Sequence, residues 1–158
     1  MTESSERGAR VRFPPPLVYL GAILAGVAAG RWIAAAPLPI DRTARVAVGV
    51  LIAVVGAAFA ASARLHFLRT GQSVIPWKPT PELIFQGPYR FTRNPMYVGM
   101  TLLTIGLGVA FNNLWISLFA IPALMAVHVI AVRPEEKYLS EKFGDSYRTY
   151  LTRVRRYL

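Results

Sequence analysis

Arg93, Asn94 and Tyr97, followed at a distance by Glu135 and Glu136, are the side chains whose types and spacing can do chemistry. An arginine pairs bidentately with a carboxylate. A glutamate binds an ammonium group or hydroxyls, and can serve as a general base. The face of a tyrosine attracts a cation. An asparagine hydrogen-bonds a ligand but does not titrate. The first group belongs to a polar and basic stretch, G-P-Y-R-F-T-R-N-P-M-Y-V-G at residues 87–99, which runs straight into a long apolar segment. The second, R-P-E-E at residues 133–136, begins where the next apolar segment ends. The two apolar segments are joined by Asn112 and Asn113 alone, so they pack as an antiparallel pair. Both polar clusters therefore fall at the same end of one helical hairpin.

The elements that position them follow from composition. The chain has 158 residues, 54% of them apolar, with a mean hydropathy of +0.39. The apolar residues form blocks rather than amphipathic stripes, each near the roughly 20 residues that cross a bilayer. The fold class is all-α: one membrane domain, residues 1–158, with four transmembrane helices at about 17–36, 45–63, 95–111 and 114–132. A loop at 64–94 and an amphipathic tail at 133–158 complete it. Pro14-Pro15-Pro16 opens the first span, and Pro95 suits the first turn of the third, where its missing N–H costs nothing. Gly26 and Gly30 form a G-x-x-x-G pair that admits a neighbouring helix. Pro122 lies inside the fourth span and is expected to kink it. Pro134 is expected to open the tail helix and Gly144 to end it, with Asp145 or Ser146 capping a second short helix.

The formal charge is +10, from 18 basic against 8 acidic residues. Three basic residues precede the first span, five lie in the 64–94 loop and seven in the tail; the opposite ends carry far fewer. The positive-inside bias then puts both termini, the long loop and the candidate site on the cytoplasmic side. Anionic lipid accounts for this charge better than nucleic acid, since no basic, aromatic-interleaved soluble domain is present. With no cysteine, the chain has no disulfide, thiolate metal site or nucleophilic thiol. The first apolar block reads as a retained anchor, because Arg31 and Trp32 interrupt the approach to its Ala-rich end. His66 reads as an interfacial structural residue and His128 as a helix-packing one; two lone histidines make no metal site. Trp77 and Trp115 read as interfacial anchors. Arg153, Arg155 and Arg156 read mainly as a lipid-facing basic patch.

The 87–99 stretch, followed one hairpin later by E-E-K-Y-L-S-E-K-F-G-D-S-Y-R-T-Y, resembles the isoprenylcysteine carboxyl methyltransferase and phospholipid methyltransferase superfamily over about residues 70–156. The family's R-H-P-x-Y-x-G core corresponds to Arg93, Asn94, Pro95, Tyr97 and Gly99, with Asn94 where the carboxyl methyltransferases usually have histidine. Its acidic pair corresponds to Glu135 and Glu136, and its F-G-x-x-Y-x-x-Y to Phe143, Gly144, Tyr147 and Tyr150. The resemblance implies an integral membrane enzyme that moves a methyl group from S-adenosylmethionine to a small lipophilic acceptor, leaving S-adenosylhomocysteine. It implies a cofactor site under the tail, with Gly87, Tyr89, Arg93, Asn94, Pro95, Tyr97, Gly99, Glu135, Glu136 and Tyr147 around it. Arg93, Asn94 and Glu136 are the candidate catalytic residues, Glu136 being the base if the acceptor is an amine. Tyr150 and Arg153 are the candidate substrate contacts. The acceptor, carboxylate or amine, stays open, as does the oligomeric state. An NADPH-dependent membrane reductase and a non-catalytic lipid-binding protein are the competing readings.

Overall fold

The computed structural model describes residues 9, 11, 13–34, 37–71 and 80–158. Their regular structure is helical, with no strand among the described residues. Helix α1 spans Pro15–Trp32, α2 Arg42–Arg69, α3 Pro95–Ala110, α4 Leu114–Val127 and α5 Arg133–Arg153; a 3-10 turn, Gly87–Arg90, precedes α3. Among the described residues, two helices are long and apolar enough to cross a membrane: α2, and the continuous helix Leu114–Arg153 formed by α4, a π-helical segment His128–Val132 and α5. The apolar part of that helix ends at Val132. At 1.5 Å per residue, the 18-residue α1 and 16-residue α3 are only about 27 and 24 Å long.

Two expectations change. The second helix outlasts its apolar stretch and reaches Arg69, which shortens the following loop. No break separates the fourth span from the tail: Pro134 sits in a first turn of α5 that continues directly from the π-helical segment, which absorbs the change in register. Gly144 interrupts the tail helix as expected, and a second helical stretch meets the first there at a kink. Its φ of 50° and ψ of −122° fall where a side chain is strongly disfavoured, and helical geometry resumes beyond it. Asp145 then accepts from the Arg148 guanidinium at 3.1 Å. Trp77 lies outside the described residues.

The helices neighbour one another in the order α2, α3, α4, α1. Helices α2 and α3 run antiparallel in backbone contact. A Cβ on Gly56 would lie 2.6 Å from the Gly99 carbonyl oxygen, and one on Gly99 would lie 2.6 Å from the Ala60 nitrogen. Small residues thus stand in for shape complementarity, which drives association where lipid leaves no hydrophobic force between helices. Gly26 and Gly30 do face a neighbour: Ile116 and Asn113 at the start of α4. Asn113 caps α4 through the Trp115 N–H at 3.1 Å and donates to the Gly26 carbonyl at 3.1 Å. The Trp115 indole donates to the Ala34 carbonyl at 2.8 Å. Arg45 closes the far end of α3, donating to the Ala110 carbonyl at 2.7 Å. Leu24, Leu51, Val54, Ile121 and Met125 point outward, giving the helices an apolar exterior. A soluble protein does not expose so much, whereas lipid accommodates it.

Candidate functional site

The opposite end of the bundle holds the polar residues. The first turn of α1, the last turns of α2, the first turn of α3 and the first turns of α5 surround a cavity of about 370 Å³. Its size is that of a small-molecule site. Pro14–Pro16, Phe67, Met96, Met100 and Leu139 make the apolar part of its wall, and Tyr89, Arg93, Asn94, Tyr97, Glu135 and Tyr147 the polar part.

Each polar residue is held by the fold. Pro95 starts α3 and aims Tyr97 at the end of the hairpin, where its hydroxyl donates to Glu135 Oε1 at 2.8 Å. The Tyr97 carbonyl in turn accepts from the Tyr19 hydroxyl of α1 at 3.1 Å. Tyr150 donates to the Tyr89 carbonyl at 2.6 Å and packs edge-on against Phe85. The bend at Gly144 is what turns Tyr147 and Tyr150 back toward the 87–94 turn. Arg93 Nη1 pairs with Glu136 Oε1 at 3.2 Å. Asn94 Nδ2 donates to the Arg156 carbonyl at 3.0 Å.

Electrostatics single out Glu135. Burial pushes its carboxyl up from 4.5 to about 7; the Tyr97 hydrogen bond opposes this and the Glu136 charge adds to it. Burial likewise raises the Tyr89 hydroxyl, with the Glu135 charge adding to it. Tyr147 is pushed up to about 12, chiefly by burial and then by Glu136, while Arg93 opposes both. Two buried polar atoms at the cavity, Tyr89 Oη and Arg93 Nε, have no hydrogen-bond partner among the described residues. Such atoms cost about 1–3 kcal/mol each unless something binds them.

The structure brings together eight of the sequence-derived residues on the cavity wall: Tyr89, Arg93, Asn94, Pro95, Tyr97, Glu135, Tyr147 and Tyr150. Four others are placed elsewhere. Gly87 makes a positive-φ turn (59°) and packs against the His66 ring, whose Nδ1 bonds the Ser62 carbonyl. Gly99 is used for the approach to α2. Arg153 is exposed and off the wall. Glu136 lies behind the wall, its carboxylate held by Arg93 and by Arg156. That contact also corrects the reading of Arg156 as a lipid-facing residue. His128, expected as a packing residue, bonds the Tyr157 hydroxyl through Nδ1 at 2.9 Å. Sequence reasoning did not find the α1 prolines, Arg64, Phe67 or Tyr138 as wall residues.

Among the described residues the regular structure is all helical, two helices are long and apolar enough to cross a membrane, and an acid–guanidinium–tyrosine cluster lines a cavity at one end of the bundle. The family model described as phospholipid methyltransferase matches residues 44–146, and the chain belongs to that family. The match covers α2 to the bend of α5, with Arg93, Asn94, Tyr97, Glu135 and Glu136 inside it and Tyr147, Tyr150 and Arg156 beyond it. A protein of Haemophilus influenzae (strain Rd), described only as uncharacterized, is 33% identical over 63 residues, which is 40% of this chain and the whole of that protein.

Proposed function

We propose that this protein is a multi-pass membrane methyltransferase that uses S-adenosylmethionine to methylate a small lipophilic acceptor, a carboxylate or an amine. In this reading α1–α4 are four spans, and the cavity end, which carries most of the Lys and Arg residues, faces the cytoplasm. The observation that carries the proposal is the single cavity in which Glu135, Arg93 and the orphaned Tyr89 hydroxyl converge beside an apolar wall.

The donor set fits the cofactor. An amino acid end needs an anion for its ammonium and donors for its carboxylate. Glu135 supplies the first, and Arg93 Nε with Tyr89 Oη the second. The faces of Tyr97 and Tyr147 suit an aromatic or cationic group. When bound, S-adenosylmethionine supplies an electrophilic methyl group on a sulfonium centre. The protein's part is then positioning. The rigid turn at 92–95 and the bent α5 hold the two sides of the cavity, and alignment of this kind supplies much of the acceleration of a displacement. Pro14–Pro16, Met96 and Met100 exclude water and face the acceptor. A carboxylate acceptor needs no base. An amine acceptor attacks in its neutral form; with Glu135 engaged by the cofactor's ammonium and Glu136 tied to two arginines, it enters the apolar side of the cavity already deprotonated.

Thermal unfolding in detergent with S-adenosylhomocysteine, with NADPH and with neither separates the readings. Binding to the folded state raises the melting temperature with the true ligand. A rise with S-adenosylhomocysteine supports the proposal, and a rise with NADPH alone removes it. Transfer of labelled methyl to a total lipid extract, with the product identified by mass, then gives the acceptor.

A further inference from the structure

Glu136 holds two guanidinium groups. Arg156 takes both carboxylate oxygens, Nε to Oε1 at 2.9 Å and Nη2 to Oε2 at 2.8 Å. Arg93 reaches the same Oε1 through Nη1 alone, at 3.2 Å. The two arginines are not equivalent. The Arg93 side chain is 12% exposed and lines the cavity; that of Arg156 is 42% exposed and does not.

The segment that carries Arg156 is fastened to the turn that carries Arg93. The Arg93 N–H donates to the Arg155 carbonyl at 2.9 Å. The Thr92 hydroxyl and the Asn94 amide both donate to the Arg156 carbonyl, at 2.9 and 3.0 Å. Tyr157, one residue on, bonds His128. The spacing between the two arginines is therefore fixed by backbone and side-chain bonds, independently of Glu136.

A free carboxylate beside a guanidinium closes a two-point pair. Here the carboxylate is already engaged on both oxygens, so Arg93 receives a single-point contact, and its Nε is left buried without a partner among the described residues. We infer that Arg156 is a positioning residue: it holds Glu136 back from a two-point pair with Arg93 and so reserves the Arg93 guanidinium for a carboxylate bound in the cavity. This rests on the methyl-donor reading of the cavity. Without Arg156, Glu136 swings fully onto Arg93, and a ligand must displace it. Without Glu136 as well, the Arg93 guanidinium is released from the carboxylate and keeps only its hydrogen bond with Tyr147. A residue that merely braced the fold would not be rescued by loss of its own partner.

Calorimetric titration of the whole chain in detergent with S-adenosylhomocysteine tests this. Arg156→Ala is expected to weaken binding roughly ten-fold, as for loss of one charge-assisted hydrogen bond. Arg156→Ala combined with Glu136→Gln is expected to bind within about three-fold of Glu136→Gln alone, a non-additivity that marks direct coupling. Arg156→Lys, which can hold one oxygen, falls between. Unchanged affinity in Arg156→Ala overturns the inference, and so does a double variant no better than Arg156→Ala. If Arg156→Ala does not fold, Arg156→Lys with and without Glu136→Gln decides by the same comparison. A native protein that does not bind S-adenosylhomocysteine removes the methyl-donor reading and this inference together; one that binds while the double variant shows no rescue removes the inference alone.

Discussion

Tyr97 and Glu135 meet through a 2.8 Å hydrogen bond that joins the first turn of α3 to the first turn of α5 across 38 residues of sequence. It is the contact by which the hairpin closes on its own ends. It also tunes the charge of the site, because the hydroxyl favours the ionised form of a carboxyl that burial drives toward neutrality.

A pH dependence follows. The folded state holds the Glu135 proton up to about pH 7, the unfolded chain only to about 4.5. In the ligand-free protein the contribution of Glu135 to stability is fully present below about pH 4.5 and is lost as pH rises through about 7, by roughly 3 kcal/mol in all. Glu135→Gln removes that slope. Binding of an ammonium group runs the other way, because it favours the ionised carboxyl and expels the proton. Affinity for S-adenosylhomocysteine should rise with pH, by up to about ten-fold per unit below 7, and level off above it. Titrations across this range check it, and in Glu135→Gln the affinity should be lower and flat.

Tyr97→Phe keeps the ring and deletes the donor. The Glu135 carboxyl then moves further up, so the midpoint of the affinity-versus-pH curve shifts to higher pH. The lost bond to a charged group costs about 1.5–3 kcal/mol where Glu135 is ionised. An unshifted midpoint would mean that Tyr97 does not tune this carboxyl.

Gly144→Ala places a side chain at φ 50°, ψ −122°. The strain is of the order of 1–3 kcal/mol, and straightening the helix is the way to relieve it. Tyr147 and Tyr150 would then turn away from the 87–94 turn. Affinity for S-adenosylhomocysteine should fall more than the melting temperature does, whereas Ser146→Ala, two residues on and off the cavity wall, should leave both in place.

Gly56→Val forces α2 and α3 apart, since even a Cβ would lie 2.5 Å from the Leu103 nitrogen and 2.6 Å from the Gly99 carbonyl oxygen. Overpacking of this kind typically costs about 1–3 kcal/mol, and backbone contact puts this site at the upper end. Thermal unfolding in detergent should show the loss, while Gly21→Val, with open space around it, should be tolerated.

Much of this protein is written locally. Runs of Ala, Val, Leu and Gly near bilayer length can bury their backbone only as helices in lipid, so the all-α class follows from composition. Pro95 and the Asn112-Asn113 turn fix where α3 begins and ends, and that places Arg93, Asn94 and Tyr97 beside Glu135 and Glu136. The motif at 87–99 points to the family because chain-adjacent residues carry it. Other features depend on contacts that no local pattern encodes. Tyr19 bonds Tyr97 across 78 residues, and Asn94 bonds the Arg156 carbonyl across 62. The two neighbouring glutamates are identical to a reader of the sequence. Only the packing of α5 against α3 and the 154–157 segment turns Glu135 into the cavity and hands Glu136 to two arginines, because side chains one residue apart on a helix point about 100° apart and meet different neighbours.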